Sequence, residues 1–118
     1  MESILNIVES PVGPQGDITL VRPVGKLHSG TYRDFEARLM GIMAAGRHRL
    51  VVDMGEVPFC SSAGIRALIS VQKEARKQGG DLQLANLVPE VRKVFGTAGL
   101  DQILQVHDTV EAALTRLG

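Results

Sequence analysis

Two adjacent serines, Ser61 and Ser62, have the clearest potential for chemistry in this sequence. They follow a short apolar run at residues 50–52 and precede a segment with the apolar spacing of a helix, which predicts a strand-to-helix loop. Such loops carry functional groups in α/β proteins, because they meet the unpaired N–H groups at helix N-termini. A serine hydroxyl there either caps the helix or accepts a phosphoryl group.

The capping hypothesis makes Ser62 the N-cap of a helix that begins at Ala63, its hydroxyl accepting from the N–H of Gly64 or Ile65. The phosphorylation hypothesis adds about −1.5 to −2 charges at Ser62, beside a helix N-terminus that tolerates an anion. We expect a partner protein to respond to that charge, with the fold unchanged. The small residues Ser61, Ala63 and Gly64 would let another protein approach, and Gly64 would leave its backbone amide open.

Two apolar residues precede the serines. Phe59 and Cys60 either lie half exposed on the loop or fill the gap between loop and helix. Cys60 is either a redox-sensitive thiol beside a helix N-terminus or a small buried hydrophobic residue. The sequence favours the buried role for the thiol.

Nucleophilic catalysis is the alternative chemistry for the serine pair. Residues 60–64, C-S-S-A-G, partly match the G-x-S-x-G elbow of serine hydrolases, but a cysteine replaces the first glycine. His28, His48 and His107 are spaced to supply neither a base for Ser62 nor a metal site. We predict no catalytic residue, no metal and no cofactor, with a small serine hydrolase as an open alternative.

Regular elements must surround this loop. Two strands, residues 4–8 and 18–24, flank a turn rich in proline and glycine. A helix capped by Ser29 or Thr31 follows and ends at Gly46. Three strands, at 50–52, 81–87 and 103–106, then alternate with helices at 63–78 and 89–95. The last helix is capped by Asp108 or Thr109. The order β-β-α-β-α-β-α-β-α predicts an α/β fold, a mixed sheet with helices packed on it through right-handed crossovers.

Length and charge restrict the class of protein. The 118 residues are 44% hydrophobic, and 13 basic residues balance 13 acidic ones. One domain over residues 1–118, monomeric or weakly dimeric, fits that size.

Zero net charge argues against nucleic-acid binding, and no apolar run approaches the roughly 20 residues of a membrane span. The first residues lack the pattern of a signal peptide, so we expect a cytoplasmic protein.

Several spaced segments resemble a known family. Residues 51–54, V-V-D-M, and 57–65, V-P-F-C-S-S-A-G-I, are similar to the signature of the bacterial anti-sigma factor antagonists, which are stand-alone STAS domains. Residues 25–31, G-K-L-H-S-G-T, resemble the family's loop between second strand and first helix, and residues 77–100 resemble its second half. The resemblance spans nearly the whole chain.

The resemblance implies a phosphorylation switch at Ser62. The unphosphorylated form would bind an anti-sigma factor, a serine/threonine kinase with a histidine-kinase-like ATPase fold, and release its sigma factor or other client. Phosphorylation of Ser62 would block that binding by placing an unpaired charge in the interface, and a PP2C-type phosphatase would restore it. The partner surface would comprise His28, Ser29, Phe59, Cys60, Ser61, Ala63, Gly64, Ile65, Arg66 and Ser70. A second hypothesis is a STAS scaffold that is not phosphorylated, in which Ser62 only caps the helix.

Two departures from the family pattern lie near the acceptor. The family often has Asp where this chain has Ser61, and often Asp where it has His28. Both changes remove a negative charge, and the first makes Ser61 a second candidate for phosphate. His28 is either a pH-sensitive contact or a solvated loop residue.

Overall fold

The computed structural model describes residues 5–118; the predicted first strand begins at residue 4, outside that range. The elements are the strands β1 (Asn6–Val12), β2 (Ile18–Val24), β3 (Arg49–Asp53), β4 (Asp81–Ala85) and β5 (Val106–His107), and the helices α1 (Tyr32–Ala44), α2 (Ser62–Lys77), α3 (Pro89–Thr97) and α4 (Val110–Leu117). The predicted order of strands and helices is confirmed.

The five strands form one mixed sheet in the order β1-β2-β3-β4-β5. β1 and β2 pair antiparallel across the predicted turn, with Asn6 opposite Val24. Strands β2 to β5 are parallel, so each connection between them crosses over the sheet. Because parallel strands end at the same edge, the loops after β2, β3 and β4 meet there.

Helices cover both faces of the sheet, which explains the consecutive apolar residues of β3. Leu50 and Val52 face the larger core, shared with α1, α2 and α3. Val51 faces the smaller core, where it packs with Ala85 and with Ala113 of α4. Burial on both faces therefore makes β3 the central strand that its sequence predicts.

Helix α2 contributes one side to the larger core. Its buried residues are Ala63, Gly64, Ala67, Leu68, Val71, Gln72 and Ala75. It ends close to the predicted residue, and Gly79 beyond it has φ of 86°, a left-handed conformation that favours glycine. No helix within residues 5–118 is both long and apolar enough to cross a membrane.

The predicted strand at residues 103–106 is wrong in extent. Only Val106 and His107 pair with β4, and a short 3-10 helix, Leu100–Gln102, precedes them. The N–H groups of Ile103 and Leu104 both donate to the carbonyl of Leu100, at 3.0 and 2.8 Å. Their hydrogen bonds are therefore made locally and do not extend the sheet.

Candidate functional site

Two loops at the carboxyl edge of the sheet are joined to each other. Residues 25–31 follow β2, and residues 54–61 connect β3 to α2; we call them the paired loops. The N–H of Leu27 donates to the carbonyl of Phe59 at 2.9 Å, and the N–H of Ser61 donates to the carbonyl of Leu27 at 2.8 Å. The two segments thus form a short parallel pairing that fixes where α2 begins.

The start of α2 differs from the predicted one. Ser61, not Ser62, is the N-cap, and its Oγ accepts a hydrogen bond from the N–H of Gly64 at 3.4 Å. Ser62 is the first helical residue and is exposed. The predicted cap is wrong by one residue because the pairing of Ser61 with Leu27 ends the extended backbone at Ser61. The capping function and the exposed hydroxyl therefore fall on different serines.

Gly64 serves packing inside the molecule. A Cβ added there would lie 2.8 Å from Cγ of Leu27, 2.9 Å from its carbonyl oxygen and 3.1 Å from Sγ of Cys60. The predicted open amide at Gly64 is wrong, because that N–H is hydrogen-bonded to Ser61. Glycine is required here so that the loop of residues 25–31 can lie directly against α2.

The proposed partner-binding residues divide by exposure. Cys60, Ala63 and Gly64 are buried, so the side chains of Cys60 and Ala63 face the interior and Gly64 offers none to a partner. Ser61, Ile65 and Ser70 are partly exposed, whereas Phe59, Ser62 and Arg66 are exposed. Phe59 is 49% exposed, which is high for a large apolar side chain on a loop fixed by backbone hydrogen bonds.

Cys60 has the buried environment that the sequence favours. It is 6% exposed, and desolvation raises the pKa of its thiol to about 12. The thiolate is the reactive form of cysteine, so burial keeps this side chain unreactive near neutral pH. Cys60 therefore acts as a small apolar residue under the paired loops.

His28 and Thr31 shape the first of the paired loops. Nδ1 of His28 accepts from the N–H of Gly30 at 2.9 Å, and the His28 N–H donates to Oγ1 of Thr31 at 3.1 Å. Thr31 is the N-cap of α1, but its hydroxyl donates to the carbonyl of Lys26 at 2.7 Å and caps no N–H of the helix. Ser29, the other predicted cap, is exposed at the turn.

The histidines supply no base to the serine pair. Oε1 of Gln83 lies 2.6 Å from Nε2 of His107. His28 is hydrogen-bonded within its own loop. Among residues 5–118, no histidine is hydrogen-bonded to Ser62. The arrangement therefore gives no support to the serine hydrolase alternative.

A buried carboxylate, which sequence reasoning did not assign to the site, organises the edge of the sheet. Asp53 at the end of β3 is 5% exposed, and its Oδ2 accepts from Nε of Arg22 at 3.2 Å. Its Oδ1 accepts from the N–H of Gly55 at 3.0 Å and from Nδ2 of Asn86 at 3.2 Å. An acidic residue directly after a buried apolar strand is the sequence signal for this role. Asp53 thereby links β2, the start of the second paired loop and the end of β4.

Both the sequence and the fold of this chain are similar to those of known proteins. The chain is 37% identical over 89 residues to BtrV of Bordetella bronchiseptica, named an anti-sigma factor antagonist, and the match covers 75% of this chain and 77% of BtrV. The fold matches an anti-sigma factor antagonist from Mycobacterium paratuberculosis with a TM-score of 0.84 and 21% identity, covering 97% of this chain and 94% of that one. It also matches the phosphorylated form of the Bacillus cell fate determinant SpoIIAA, with a TM-score of 0.69 and 21% identity over 96% of this chain and all (100%) of SpoIIAA.

The family match covers most of the described elements. Residues 12–113 match the STAS domain, and this range contains both paired loops and every strand after β1. The resemblance drawn from the sequence is confirmed at the level of the family. With its mixed sheet, its paired loops and the serine pair at the start of α2, the chain belongs to the STAS domain family.

Proposed function

We propose that this protein is a phosphorylation-switched anti-sigma factor antagonist whose acceptor is Ser62. The unphosphorylated form binds an anti-sigma factor with serine kinase activity and thereby releases the sigma factor or other client held by that kinase. Phosphorylation of Ser62 ends the binding, and a PP2C-type phosphatase restores it. We further propose that the chain acts as one domain, in the cytoplasm, and has no catalytic activity of its own.

The observation that carries this proposal is the exposed position of Ser62 on a fixed backbone. Ser61 already uses its hydroxyl as the cap of α2, whereas the hydroxyl of Ser62 makes no hydrogen bond within residues 5–118. In the proposed transfer, the γ-phosphoryl group of ATP moves to Oγ of Ser62, the hydroxyl loses its proton and ADP leaves. The phosphatase then hydrolyses the phosphoserine to serine and inorganic phosphate. Ser62 is thus favoured over Ser61, whose modification would disrupt a helix cap.

The proposed docking surface combines the paired loops with the outer side of α2. Phe59, three residues before the acceptor, supplies an exposed apolar contact, a type of residue enriched in the centre of interfaces. Arg66 and Lys73 line a shallow depression of about 290 Å³ farther along the helix, together with Ile69 and Ser70. This mixture of apolar and basic groups fits a partner surface that is apolar in its centre and acidic along α2.

The switch follows from the desolvation of charge. The desolvation of a neutral hydroxyl in a protein interface costs little free energy when the hydroxyl forms a hydrogen bond there. A phosphate carries about −1.5 to −2 charges, and taking such an ion out of water costs several kcal/mol even where a cation lies beside it. Because Ser62 begins α2, between the apolar contact of Phe59 and the basic side of the helix, one modification is sufficient to end binding.

A phosphorylation assay tests the proposal. The protein is incubated with ATP and the histidine-kinase-like ATPase encoded nearest to it in the genome, and intact mass is recorded. We expect one added phosphate that Ser62→Ala abolishes and Ser61→Ala leaves in place. Unmodified protein, or phosphate that persists in Ser62→Ala, would contradict Ser62 as acceptor.

A binding measurement separates the switch from a passive scaffold. Ser62→Glu should weaken binding to the same ATPase by about a hundredfold or more, because its carboxylate must lose its water when the interface forms. Ser62→Gln is the matched neutral control and should bind within a few-fold of the wild type. Equal binding of all three forms would favour the scaffold hypothesis. Labelling of Ser62 by a fluorophosphonate probe would instead revive the hydrolase alternative.

A further inference from the structure

The exposed side of α2 places a cation one turn after the proposed acceptor. Ser62 and Arg66 are separated by four residues and are both exposed. In an α-helix this spacing brings the two Cβ atoms to about 5–6 Å on one face. Arg66, Ile69 and Lys73 line the same depression, which locates the Arg66 side chain on the outer surface of the helix.

Arg66 also has no carboxylate partner within residues 5–118. The ion pairs of the described chain involve five other arginines, Arg22, Arg38, Arg49, Arg76 and Arg92. The first turn of α2 contains no acidic residue. The guanidinium of Arg66 is therefore available to an anion that arrives at the start of the helix.

We propose that Arg66 is the intramolecular counter-ion of a phosphate on Ser62, an inference that rests on the proposed function. The guanidinium presents several N–H donors in a planar fork, which suits two phosphate oxygens at once. Phosphorylation then changes the docking surface twice, because it adds a dianion and also engages a cation otherwise available to the acidic side of the partner.

Other charged and titratable groups belong to the two loops that adjoin the start of α2, and these groups need controls. Lys26 and His28 belong to the loop of residues 25–31, and Glu56 belongs to the loop of residues 54–61, the two paired loops. Lys73 lies on the same side of α2 as Arg66 but about 16 Å from Ser62 along the helix axis. The Debye length is about 8 Å at physiological salt, so the charge of Lys73 is largely screened at Ser62. Substitution of Lys73 is therefore a matched control, because it removes a positive charge that is distant from the phosphate.

The test does not depend on any kinase. Phosphoserine is incorporated at position 62 during translation, and the second ionisation of its phosphate is followed by ³¹P NMR over a pH titration. A nearby cation favours the dianion, so Arg66→Gln should raise this pKa by about 0.3–0.7 pH unit. Arg66→Lys should recover part of the shift, and Lys73→Gln should leave the value within experimental error of the parent.

Clear results would overturn the inference. An unchanged phosphoserine pKa in Arg66→Gln, or equal shifts in Arg66→Gln and Lys73→Gln, would show that Arg66 makes no specific pair. A shift seen only in Lys26→Gln would assign the counter-ion to the loop instead. Failure of the kinase assay would contradict phosphorylation of Ser62, whereas this titration reports the pairing whichever enzyme adds the phosphate.

Discussion

The N-termini of α2 and α4 are built on the same cap but differ in the residues around it. Oγ of Ser61 accepts from the N–H of Gly64 at 3.4 Å, and Oγ1 of Thr109 accepts from the N–H of Ala112 at 3.1 Å. Each hydroxyl thus satisfies the N–H three residues later, as expected for an N-cap. Of the two predicted caps of the last helix, Asp108 and Thr109, Thr109 is the one the structure has.

The residues that flank the two caps have opposite environments. Before the cap, α2 has the buried Cys60, whereas α4 has Asp108 with a side chain 82% exposed. In the first turn α4 carries Glu111, while α2 carries no acidic residue. A carboxylate in the first turn complements the helix dipole of α4. α2 is instead held by a neighbouring loop and presents an uncharged, exposed hydroxyl at Ser62, as the proposed phosphorylation requires.

The largest stability difference between the two N-termini should come from the third helical residue. Gly64→Ala should destabilise the protein by about 1–3 kcal/mol, because the new methyl group lies against the backbone of Leu27. The equivalent residue of α4 is already Ala112, which is exposed. Urea denaturation measures the effect.

Gly41 in the interior of α1 supplies the control for this substitution. A Cβ there meets no atom within 4 Å, so Gly41→Ala should be neutral or stabilise the protein by up to about 1 kcal/mol. If Gly64→Ala were as stable as Gly41→Ala, the loop of residues 25–31 would not be packed tightly on α2.

The residue before each cap, Cys60 in α2 and Asp108 in α4, should affect the pH dependence of the unfolding free energy differently. Burial raises the pKa of Cys60 from 9.0 to about 12, so the thiol stays neutral in the folded protein after it ionises in the unfolded chain. Its stabilising contribution is complete below pH 9 and is lost progressively as the pH rises towards about 12. The loss is about 1.4 kcal/mol per pH unit in that window.

Denaturation at about pH 8 and about pH 10 measures this contribution. The wild type should lose about 1.4 kcal/mol more than Cys60→Ala between the two values, since the variant lacks the thiol while its other titrating groups are the same. Asp108→Ala should behave as the wild type in this window. Identical losses in wild type and Cys60→Ala would argue against a buried thiol.

The smallest loss of stability is expected for removal of either cap hydroxyl, and it should be similar for α2 and α4. Ser61→Ala and Thr109→Ala should each cost about 1 kcal/mol, and Ser61→Asp should keep the cap of α2 because a carboxylate also accepts from the N–H of Gly64. Thermal denaturation compares the three variants with the wild type. A cost confined to Thr109→Ala would mean that the longer hydrogen bond at Ser61 does not stabilise α2.

Much of the fold was predictable because its signals are local. The apolar run at residues 50–52, the helical spacing of α2 and the turn between β1 and β2 each depend on neighbouring residues. The predictions failed where distant contacts decide the structure. The spacing predicts a strand at residues 103–106, but Nε2 of Gln72 in α2 donates to the carbonyl of Ile103 at 3.1 Å and Leu104 is buried in the larger core. Only Val106 and His107 therefore pair with β4.

The sequence by itself determined the order of elements, the loop that carries the serine pair and the family resemblance, since all three are encoded in residue types and spacing along the chain. Only the tertiary structure decided which serine caps α2 and which is exposed. That choice depends on the hydrogen bond from Ser61 to Leu27, a residue 34 positions earlier in the chain. The same contact requires glycine at position 64, because the pairing brings the Leu27 backbone against the helix.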